Sequence, residues 1–540
     1  MKLRRKFLVV ILLSAMIATI FTGCGSSEKA NATPSKESDA SSVEGASKGE
    51  ESKAEERITM EWLMGQTSAE VDPEAPIIKE LSEEFGVDLR AWYVDSSKFQ
   101  EALSVRFAAG EMPDVLILDN LSIIPTYVDG GILHEIPEEM IREKAPNYAA
   151  ISDQYDDGTL WTTGMYNGSK YAVGNILNVV PHAMVWRQDW LEAVGIDKVP
   201  ETLEEMEIAL TKFAKEDPDG DGIDNTYGMA ERAMNAVFGA YGMRICTGAK
   251  PGFLVEEMQL IDGVPVFPYT RPEAKEALGV LRDWYAKGLI DPEFITGENH
   301  GGYQWLSHSL INSRIGVTEA QPSHYYGSSY EETEENMGQC LAELKAVTPE
   351  AVIRLGKAPV GPKGKSGTEG WSKVGKVVGL TTKCFEDERK VDAFFEMLDR
   401  YYTDIEYAKL VSYGIEGEHY SIGENGVINR IGGGTELRKQ GVMQFNFGDI
   451  IPFVEAVVPK KTAFGKEVTG GGYFRFNAPA TQEFSSVIAA LDTLTEQTYF
   501  DIITGVKPLD YFDEYVKQFK VSGGEVAEKS VQEAYAAMQK

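Results

Sequence analysis

Cysteine pairs, zinc-ligand spacings and nucleotide-binding motifs are missing from this sequence, and each absence argues against a class of protein. Four cysteines occur in 540 residues and none forms a CxxC pair, which argues against a disulfide framework and a zinc site. The six histidines include no HExxH pair, which argues against a zinc-dependent metalloprotease. Residues 364–366 (Gly-Lys-Ser) resemble the end of a phosphate-binding P-loop, but Pro359 replaces the required earlier glycine.

Positive charge is also scarce. The chain has 52 lysines and arginines against 84 aspartates and glutamates, which gives a net charge of −32 at pH 7. Such a surface argues against nucleic acid as a partner and against electrostatic attachment to anionic lipid. The apolar content of 43% and charged content of 25% are typical of a soluble globular protein. The length allows two or more domains.

The long uncharged run of the sequence lies at its start. Residues 2–6 carry four lysines and arginines, and residues 7–21 carry no charge. That run is shorter than the roughly 20 residues of a membrane-spanning helix, and it has the form of a signal-peptide core. Residues 21–24 (Phe-Thr-Gly-Cys) resemble a bacterial lipobox with Phe in place of the usual Leu. We therefore expect residues 1–23 to be a signal peptide and Cys24 to be acylated, for example with palmitate. The alternative is an ordinary signal peptide cleaved near an unrelated cysteine.

A polar stretch follows the cysteine. Residues 24–56 are rich in Ser, Ala, Glu, Lys and Gly, with almost no large apolar residue, so they cannot bury enough surface to order themselves. A flexible chain of this length spans roughly 30 Å on average. The sequence thus predicts a folded body tethered to the outer face of a bacterial cell membrane.

Strand and helix patterns alternate at the start of the folded body. Apolar runs at 58–64, 87–94 and 113–118 predict strands, and the helical spacing of apolar residues at 77–85 and 98–109 predicts helices. This alternation predicts an α/β fold with a parallel sheet covered by helices. Further along the chain, Thr202 followed by Glu205 is a capping box that predicts the start of a helix. The spacing of apolar residues predicts helices at 273–287 and 391–402 and strands at 311–317 and 375–380.

Several segments resemble, in the same order, those of extracellular solute-binding lipoproteins of bacterial ABC sugar importers. They are Ala108–Val115 (AAGEMPDV), Ala183–Leu191 (AMVWRQDWL), Tyr413–Tyr420 (YGIEGEHY), Ile502–Gly505 (IITG), Asp510–Asp513 (DYFD) and Gln532–Tyr535 (QEAY). The resemblance covers nearly all of residues 58–540. It implies a two-lobed periplasmic-binding-protein-like fold (type II) with a ligand cleft between the lobes. It also implies that residues 57–178 and 367–440 form lobe 1 and that 179–366 and 441–540 form lobe 2.

Residues 217–228 carry the clearest chemical signal in the chain. Carboxylates at alternate positions followed by glycine reproduce the first half of an EF-hand loop, in which oxygen atoms bind calcium. The twelfth position, normally a bidentate glutamate, is Gly228. Related binding proteins have a loop of this kind, usually completed near the tenth position, here Thr226. The expected structural Ca²⁺ ligands are Asp217, Asp219, Asp221, the carbonyl of Ile223, and Asn225; the alternative is a turn without metal.

The ligand site is predicted from strand ends and from the resemblance. In open α/β sheets ligands bind beyond the carboxyl ends of the strands, which is where Asp119 follows a predicted strand; the alternative is that Asp119 only caps the next helix. Tryptophan rings are further candidates, because they stack on the apolar faces of sugars. The candidate ligand residues are Gly65, Gln66, Asp119, Tyr166, Trp186, Glu319 and Trp371.

These observations lead to one function and two alternatives. The resemblance implies a tethered, monomeric receptor that binds an oligosaccharide and delivers it to the permease subunits of an ABC importer, and that is not an enzyme. The alternatives are a secreted glycoside hydrolase, which the 84 acidic residues leave open, and a receptor for peptides or polyelectrolytes.

Overall fold

The computed structural model describes most of the chain beyond residue 56. The described residues are 57–63, 70–94, 99–118, 121–156, 159–176, 180–246, 258–295, 308–326, 337–370, 373–423, 428–447, 459–479 and 481–538. The predicted signal peptide and linker lie outside them, as do Cys24, Gly65, Gln66, Asp119 and Trp371. Within these ranges, no helix combines the length and apolarity that crossing a membrane requires.

The strands of the described residues are, in chain order, β1 (Ile58–Leu63), β2 (Val87–Trp92), β3 (Val115–Leu118), β4 (Met165–Tyr166), β5 (Ser169–Lys170), β6 (Ala172–Ile176), β7 (Ala183–Arg187), β8 (Tyr227–Met229), β9 (Gln259–Ile261), β10 (Val264–Val266), β11 (Ile315–Ala320), β12 (Ile353–Gly356), β13 (Thr368–Gly370), β14 (Val374–Leu380), β15 (Tyr420–Ile422), β16 (Ile428–Arg430) and β17 (Gly472–Phe474).

The α-helices are α1 (Pro76–Glu84), α2 (Phe99–Ala108), α3 (Ile124–Asp129), α4 (Glu138–Lys144), α5 (Pro146–Tyr155), α6 (Gln188–Ala193), α7 (Leu203–Lys215), α8 (Met234–Gly239), α9 (Pro272–Ala286), α10 (His308–Ile311), α11 (Ser323–Tyr326), α12 (Gln339–Val347), α13 (Glu388–Tyr401), α14 (Ile405–Tyr413), α15 (Gly434–Lys439), α16 (Pro459–Thr469), α17 (Gln482–Ile503), α18 (Tyr511–Phe519) and α19 (Glu525–Met538).

Two separate sheets organise these elements. The first has the order β2-β1-β3-β14-β6, in which β1 pairs in parallel with both β2 and β3, as the sequence pattern predicts. The second has the order β12-β7-β11-β8, with β8 and β11 parallel and β7 antiparallel to both β11 and β12. Every residue of β3, β7 and β11 is buried, as expected for strands covered on both faces.

Each sheet has its own hydrophobic core. In the first core, the ring of Trp62 lies 5.5–5.8 Å from the rings of Phe394, Phe445 and Phe447. The second core is built on other chain segments and includes Trp186 and Tyr499. Phe445 and Phe447, which follow the predicted limit of lobe 1 at residue 440, also pack in the first core. The lobe limits stay predictions.

Helix starts follow local capping. The hydroxyl of Thr202 accepts a hydrogen bond from the Glu205 N–H (3.1 Å) at the start of α7, as a capping box requires. Helix α13 begins three residues before the predicted start because the Asp387 side chain caps it by accepting from the Arg389 N–H.

One predicted strand is shifted. The sequence predicts a strand at 311–317, whereas α10 ends at Ile311 and β11 begins at Ile315. Ser313 adopts a left-handed conformation (φ 55°) that ends the helix and turns the chain into the sheet.

The segments that connect the two lobes lie side by side. The chain leaves the first sheet after β6, enters the second at β7, and returns through β13 to β14. The His182 N–H donates to the Glu369 carbonyl (2.8 Å), and the Thr368 hydroxyl donates to the His182 carbonyl (2.6 Å). Strand β13 also pairs in parallel with β17. We call the segment at His182, together with β13 and its partner β17, the hinge strands, because the segment at His182 and β13 lie where the chain passes between the two sheets.

Candidate functional site

One predicted ligand residue, Glu319, belongs to a buried group of charged and polar side chains next to the hinge strands. Its Oε1 lies 3.1 Å from Nδ1 of His182 and accepts hydrogen bonds from the Asn235 amide (3.5 Å) and the Glu369 N–H (3.2 Å). Its Oε2 is buried and has no hydrogen-bond partner among the described residues. We call this group the hinge network; its members are His182, Arg232, Asn235, Arg244, Glu319 and Glu369, and all are buried.

The network lies at the edge of the second sheet where a ligand is expected. Strands β8 and β11 are parallel, so their carboxyl ends share one edge. Glu319 is at that end of β11, Arg232 follows the end of β8, and His182 precedes the antiparallel β7. Ligands of open α/β sheets bind at this edge. The network therefore connects the expected ligand edge to the hinge strands.

Two arginines hold the network to the hinge strands. Arg232 donates to the Glu369 carboxylate (2.8 Å), and a second guanidinium nitrogen lies 3.2 Å from Nδ1 of His182. Arg244 donates to the carbonyls of Tyr473 (3.0 Å) and Gly370 (3.2 Å), so it links β17 to β13.

The charges of the network offset one another. Burial works against the ionised form of Glu369, but the nearby positive charge of Arg232, with contributions from His182 and Arg244, outweighs it. The pKa of the Glu369 carboxyl group is therefore lowered, and the group stays ionised at neutral pH. Breaking such a buried pair by removing one partner leaves an uncompensated charge and is strongly destabilising.

The same side chains include a possible metal-ligand set. One ligand atom each of His182, Glu319 and Glu369 lies within 4.8 Å of the others. However, Arg232 already contacts two of these three atoms. A metal ion would have to displace a cation that is bound in place, so these residues do not fit a metal centre.

The other described ligand candidates are not brought together with Glu319. Trp186 is fully buried in the second core, where its ring packs 6.4 Å from the ring of Phe213. A ring without exposed surface presents no face to a sugar, so the structure gives Trp186 a core role. Tyr166 is buried in lobe 1, and its hydroxyl contacts the Asp129 carboxylate at 3.3 Å.

The acidic loop at residues 217–228 brings three carboxylates together. One oxygen each of Asp217, Asp219 and Asp221 lies within 4.8 Å of the others. Partial burial and the adjacent carboxyl groups of Asp217 and Asp221 raise the pKa of Asp219. The three groups thus repel one another without a counterion, and a bound cation would relieve that repulsion.

Hydrogen bonds shape the loop around these carboxylates. Asp217 accepts from the Gly222 N–H (3.0 Å), and Asp221 accepts from the Ile223 N–H (2.7 Å) and the Asn225 amide (3.4 Å). The hydroxyl of Thr226 points elsewhere and donates to the Phe213 carbonyl (2.8 Å). The first half of the loop therefore fits a calcium ion, whereas Thr226 is not placed to complete it.

A groove of about 540 Å³ lies along the edge strand β12 of the second sheet. It runs between the loop at residues 197–201, the segment after β12 and the glycines at 470 and 471. Of the described ligand candidates, Tyr166, Trp186 and Glu319, none lines it, so the groove adds no support to the predicted site.

Comparisons with known proteins agree with the fold. Residues 76–365 match the family model of the bacterial extracellular solute-binding proteins. Two curated relatives from Bacillus subtilis align over almost their whole length. Lipoprotein LipO is 24% identical over 557 residues, covering 99% of each chain. The polygalacturonan/rhamnogalacturonan-binding protein YtcQ is 22% identical over 550 residues, covering 98% of each.

Solved structures show the same two-lobed architecture. An alginate-binding protein, AlgQ2, crystallised without calcium ion, superposes with a TM-score of 0.63 at 18% identity. The match covers 89% of this chain and 98% of the AlgQ2 chain. An HMO-binding, ABC-transporter-associated solute-binding protein from Bifidobacterium longum infantis superposes with a TM-score of 0.66 at 15% identity. The match covers 90% of this chain and 99% of that protein. These likenesses establish the two-lobed α/β fold. The chain belongs to the family of bacterial extracellular solute-binding proteins.

Proposed function

We propose that this protein binds an oligosaccharide between its two lobes and delivers it to the permease of an ABC importer. The observation that carries the proposal is the arrangement of His182, β13 and β17 side by side between two independent cores. Two rigid bodies joined by adjacent strands can close on a ligand by a hinge motion. The names of YtcQ and of the structural neighbours, which refer to carbohydrates, support sugar as the ligand class.

We propose that the ligand residues lie at the strand ends of both lobes. Gly65 and Gln66 follow β1, and Asp119 follows β3, so all three come after the carboxyl ends of parallel strands of lobe 1. Glu319 occupies the corresponding edge of lobe 2. Tyr166, whose hydroxyl contacts the Asp129 carboxylate, and Trp371 complete the set, whereas Trp186 is left out because its ring has no exposed surface. Polar groups from the two edges would then meet the hydroxyls of a sugar held between them.

We infer that the folded body is tethered by Cys24 on the extracellular face of the membrane and acts as a monomer. The family and the lipoprotein relative LipO support this location. Residues 24–56 would let the body reach the permease while it stays attached. Incorporation of labelled palmitate that is lost in Cys24→Ala tests the anchor.

We also propose a structural calcium ion on the loop that starts at Asp217. The three converging carboxylates support it, and calcium is mentioned for the neighbour AlgQ2. Calcium would hold the turn after α7 in place through Asp217, Asp219, Asp221, the Ile223 carbonyl and Asn225. It would take no part in sugar chemistry, since we propose a receptor without enzymatic activity.

One alternative has a specific observation in its favour. The relative YtcQ binds polygalacturonan and rhamnogalacturonan, which are polyanionic sugars. The net charge of −32 favours a neutral ligand for this chain, because attraction of a polyanion at a distance would be lost. A local basic patch in the cleft would reverse that expectation.

A thermal-shift screen tests the proposal. The full chain is heated with neutral oligosaccharides, with oligogalacturonides and with peptides, because a ligand that binds the native state raises its melting temperature. We expect a neutral oligosaccharide to give the largest shift. Stabilisation by peptides alone would overturn the proposal, and release of reducing ends from the same sugars would identify a glycoside hydrolase instead.

A further inference from the structure

Asn175 on β6 is buried without the hydrogen bonds that an amide normally makes. Its side chain has no exposed surface, and neither the amide oxygen nor the amide nitrogen has a partner among the described residues. In that part of the chain, no other asparagine or glutamine leaves both side-chain atoms buried and unpaired. Buried polar groups are nearly always hydrogen-bonded, because an unpaired one has lost its bonds to water without replacement. A ligand that brings hydrogen bonds to this amide would remove that penalty.

The position of Asn175 in the first sheet is one at which a ligand is expected. Strands β3 and β6 are both antiparallel to β14, which lies between them, so β3 and β6 run in the same direction. Strand β1 is parallel to β3. The carboxyl ends of β1, β3 and β6 therefore share one edge, and ligands of open α/β sheets bind at such an edge. Asn175 is the last residue but one of β6, whereas Gly65 and Asp119, proposed above as ligand residues, follow β1 and β3.

The neighbouring strand is irregular opposite Asn175. Two residues of β14, Gly375 and Lys376, lie between the residue pairs that flank Asn175, so they face this single residue. An arrangement of two residues against one is a β-bulge, which bends the strand and re-aims side chains, and bulges are frequent next to active sites. This bulge lies at the ligand edge, since β14 begins there with Val374, shortly after the proposed ligand residue Trp371.

Two tyrosines hold the backbone on both sides of Asn175. The Tyr148 hydroxyl donates to the Gly174 carbonyl (2.6 Å), and the Ile176 N–H donates to the Tyr402 hydroxyl (3.1 Å). Both hydroxyls thus serve main-chain groups of the adjacent residues, and neither pairs with the Asn175 amide. The end of β6 is fixed by these bonds, as a binding residue on a rigid element requires.

Lobe 2 has a counterpart at the other end of the first crossing. Oε2 of Glu319 is likewise buried without a partner among the described residues, and Oε1 of the same carboxylate lies 3.1 Å from the ring of His182, where the crossing from β6 to β7 ends. The two groups differ in chemistry, because an ionised carboxylate only accepts hydrogen bonds, whereas an amide both accepts and donates. Each lobe thus contributes one unpaired polar group next to the same crossing.

We propose that Asn175 is a sugar-binding residue of lobe 1 whose amide binds two neighbouring hydroxyls of one sugar unit. This inference rests on the proposed function. The amide oxygen accepts from one hydroxyl while the amide nitrogen donates to the next, so the site selects a ring with two adjacent free hydroxyls. Asn175 has no exposed surface in this arrangement of the lobes. The sugar therefore enters while the lobes are apart, and its bonds to Asn175 and to Glu319 then favour the closed arrangement.

Two substitutions at position 175 separate a ligand contact from a structural role. Asn175→Leu keeps the approximate size of the side chain without its polar groups, and Asn175→Ala is the second variant, for use if Asn175→Leu does not fold. The probe is the neutral oligosaccharide that gives the largest shift in the thermal screen of the full chain. We expect its Kd to rise at least tenfold in either variant. The melting temperature of sugar-free Asn175→Leu should equal or exceed that of the parent, because an apolar group replaces an unpaired buried amide.

The matched control is Thr381→Val at the opposite edge of the same sheet. Thr381 is fully buried just beyond the carboxyl end of β14, and its hydroxyl donates to the Pro113 carbonyl (2.7 Å). This variant should lower the melting temperature and keep the parental affinity for the oligosaccharide, the reverse of Asn175→Leu. Parental affinity in whichever Asn175 variant folds would overturn the proposal.

Monodeoxy analogues of the same oligosaccharide test the contact itself. An analogue that lacks a hydroxyl bound by Asn175 should bind the parent at least fivefold more weakly than the complete sugar. It should lose no further affinity in the Asn175 variant, because that hydrogen bond is already absent there. If every analogue loses the same factor in parent and variant, Asn175 acts only through the fold and the proposal is overturned. A parent that binds no oligosaccharide would refute the proposed function and this inference with it, whereas sugar binding that is indifferent to position 175 would leave the proposed function standing.

Discussion

A Cβ atom built on Gly228 would lie 2.6 Å from Cβ of Leu210 and 2.8 Å from the Leu289 carbonyl oxygen. Gly228 occupies the twelfth position of the acidic loop, where an EF-hand has a bidentate glutamate. Real Cβ atoms essentially never make contacts shorter than 3.0 Å. The packing of α7 against β8 therefore excludes any side chain at position 228. A calcium ion on this loop would therefore need water, or ligands nearer the start of the loop, to complete its coordination.

This contact predicts that restoring the EF-hand glutamate damages the protein. Gly228→Glu should lower the melting temperature in calcium-free buffer, because the new side chain displaces α7 from β8. Gly228→Ala should already produce a large part of the loss, since the clash begins at Cβ. Scanning calorimetry measures both variants. A Gly228→Glu protein as stable as the parent, with tighter calcium binding, would contradict the packing argument.

Calcium itself should stabilise the protein. A ligand present at about 100 times its Kd adds about 2.7 kcal/mol to the free energy of unfolding, and the melting temperature should rise accordingly. Asp219→Ala combined with Asp221→Ala should abolish the rise. The matched control is Asp224→Ala, which removes an exposed carboxylate of the same loop that is outside the converging group. A calcium effect that survives the double substitution would place the ion elsewhere.

Local patterns of the sequence predicted much of the fold. The strands at β1, β2 and β3 follow from short apolar runs, and the start of α7 follows from Thr202 and Glu205, because capping depends on residues three apart. The acidic loop is likewise contiguous in sequence. The limits of β11 were harder to predict, since the left-handed turn at Ser313 interrupts an otherwise apolar run.

The hinge network could not be predicted in the same way. His182 and Glu319 are 137 residues apart, as are Arg232 and Glu369, and no spacing or motif relates them. Of the members of the hinge network, Glu319 alone was predicted, because ligand residues were expected at the ends of strands. The core role of Trp186 was also missed, because a tryptophan in a buried strand and one that faces a ligand have the same sequence pattern.

A buried lysine in lobe 1 predicts a pH dependence of stability. Lys170 donates to the carbonyls of Trp161 and Thr163, both at 2.8 Å, and burial lowers its pKa to about 7 from an ordinary value of 10.5. Between these two values the unfolded chain binds a proton that the folded chain does not. The free energy of unfolding contributed by Lys170 therefore rises with pH from about 7 to 10.5, by at most about 1.4 kcal/mol per pH unit.

Urea unfolding at pH 6, 8 and 9 measures this dependence. Other groups also titrate in this range, so the parent is compared with Lys170→Met, which keeps the length of the side chain without its charge. The difference in unfolding free energy between the two proteins should shift in favour of the parent as the pH rises. A difference that stays constant from pH 6 to 9 would show that Lys170 titrates in the folded protein as it does in the unfolded chain.

The last prediction separates ligand contacts from core packing in the proposed cleft. Asp119→Ala and Trp371→Ala should each weaken binding of the screened sugar by about 1–3 kcal/mol, the usual effect of losing a buried contact or leaving a polar group unpaired. Neither should change the melting temperature of the sugar-free protein by much. Trp186→Leu is the matched control and should do the reverse, because its ring is fully buried against Phe213: the melting temperature should fall while the sugar affinity is kept. Isothermal titration calorimetry and scanning calorimetry on the three variants measure both quantities. Parental affinity in both Asp119→Ala and Trp371→Ala would mean that the cleft has been placed on the wrong strand ends.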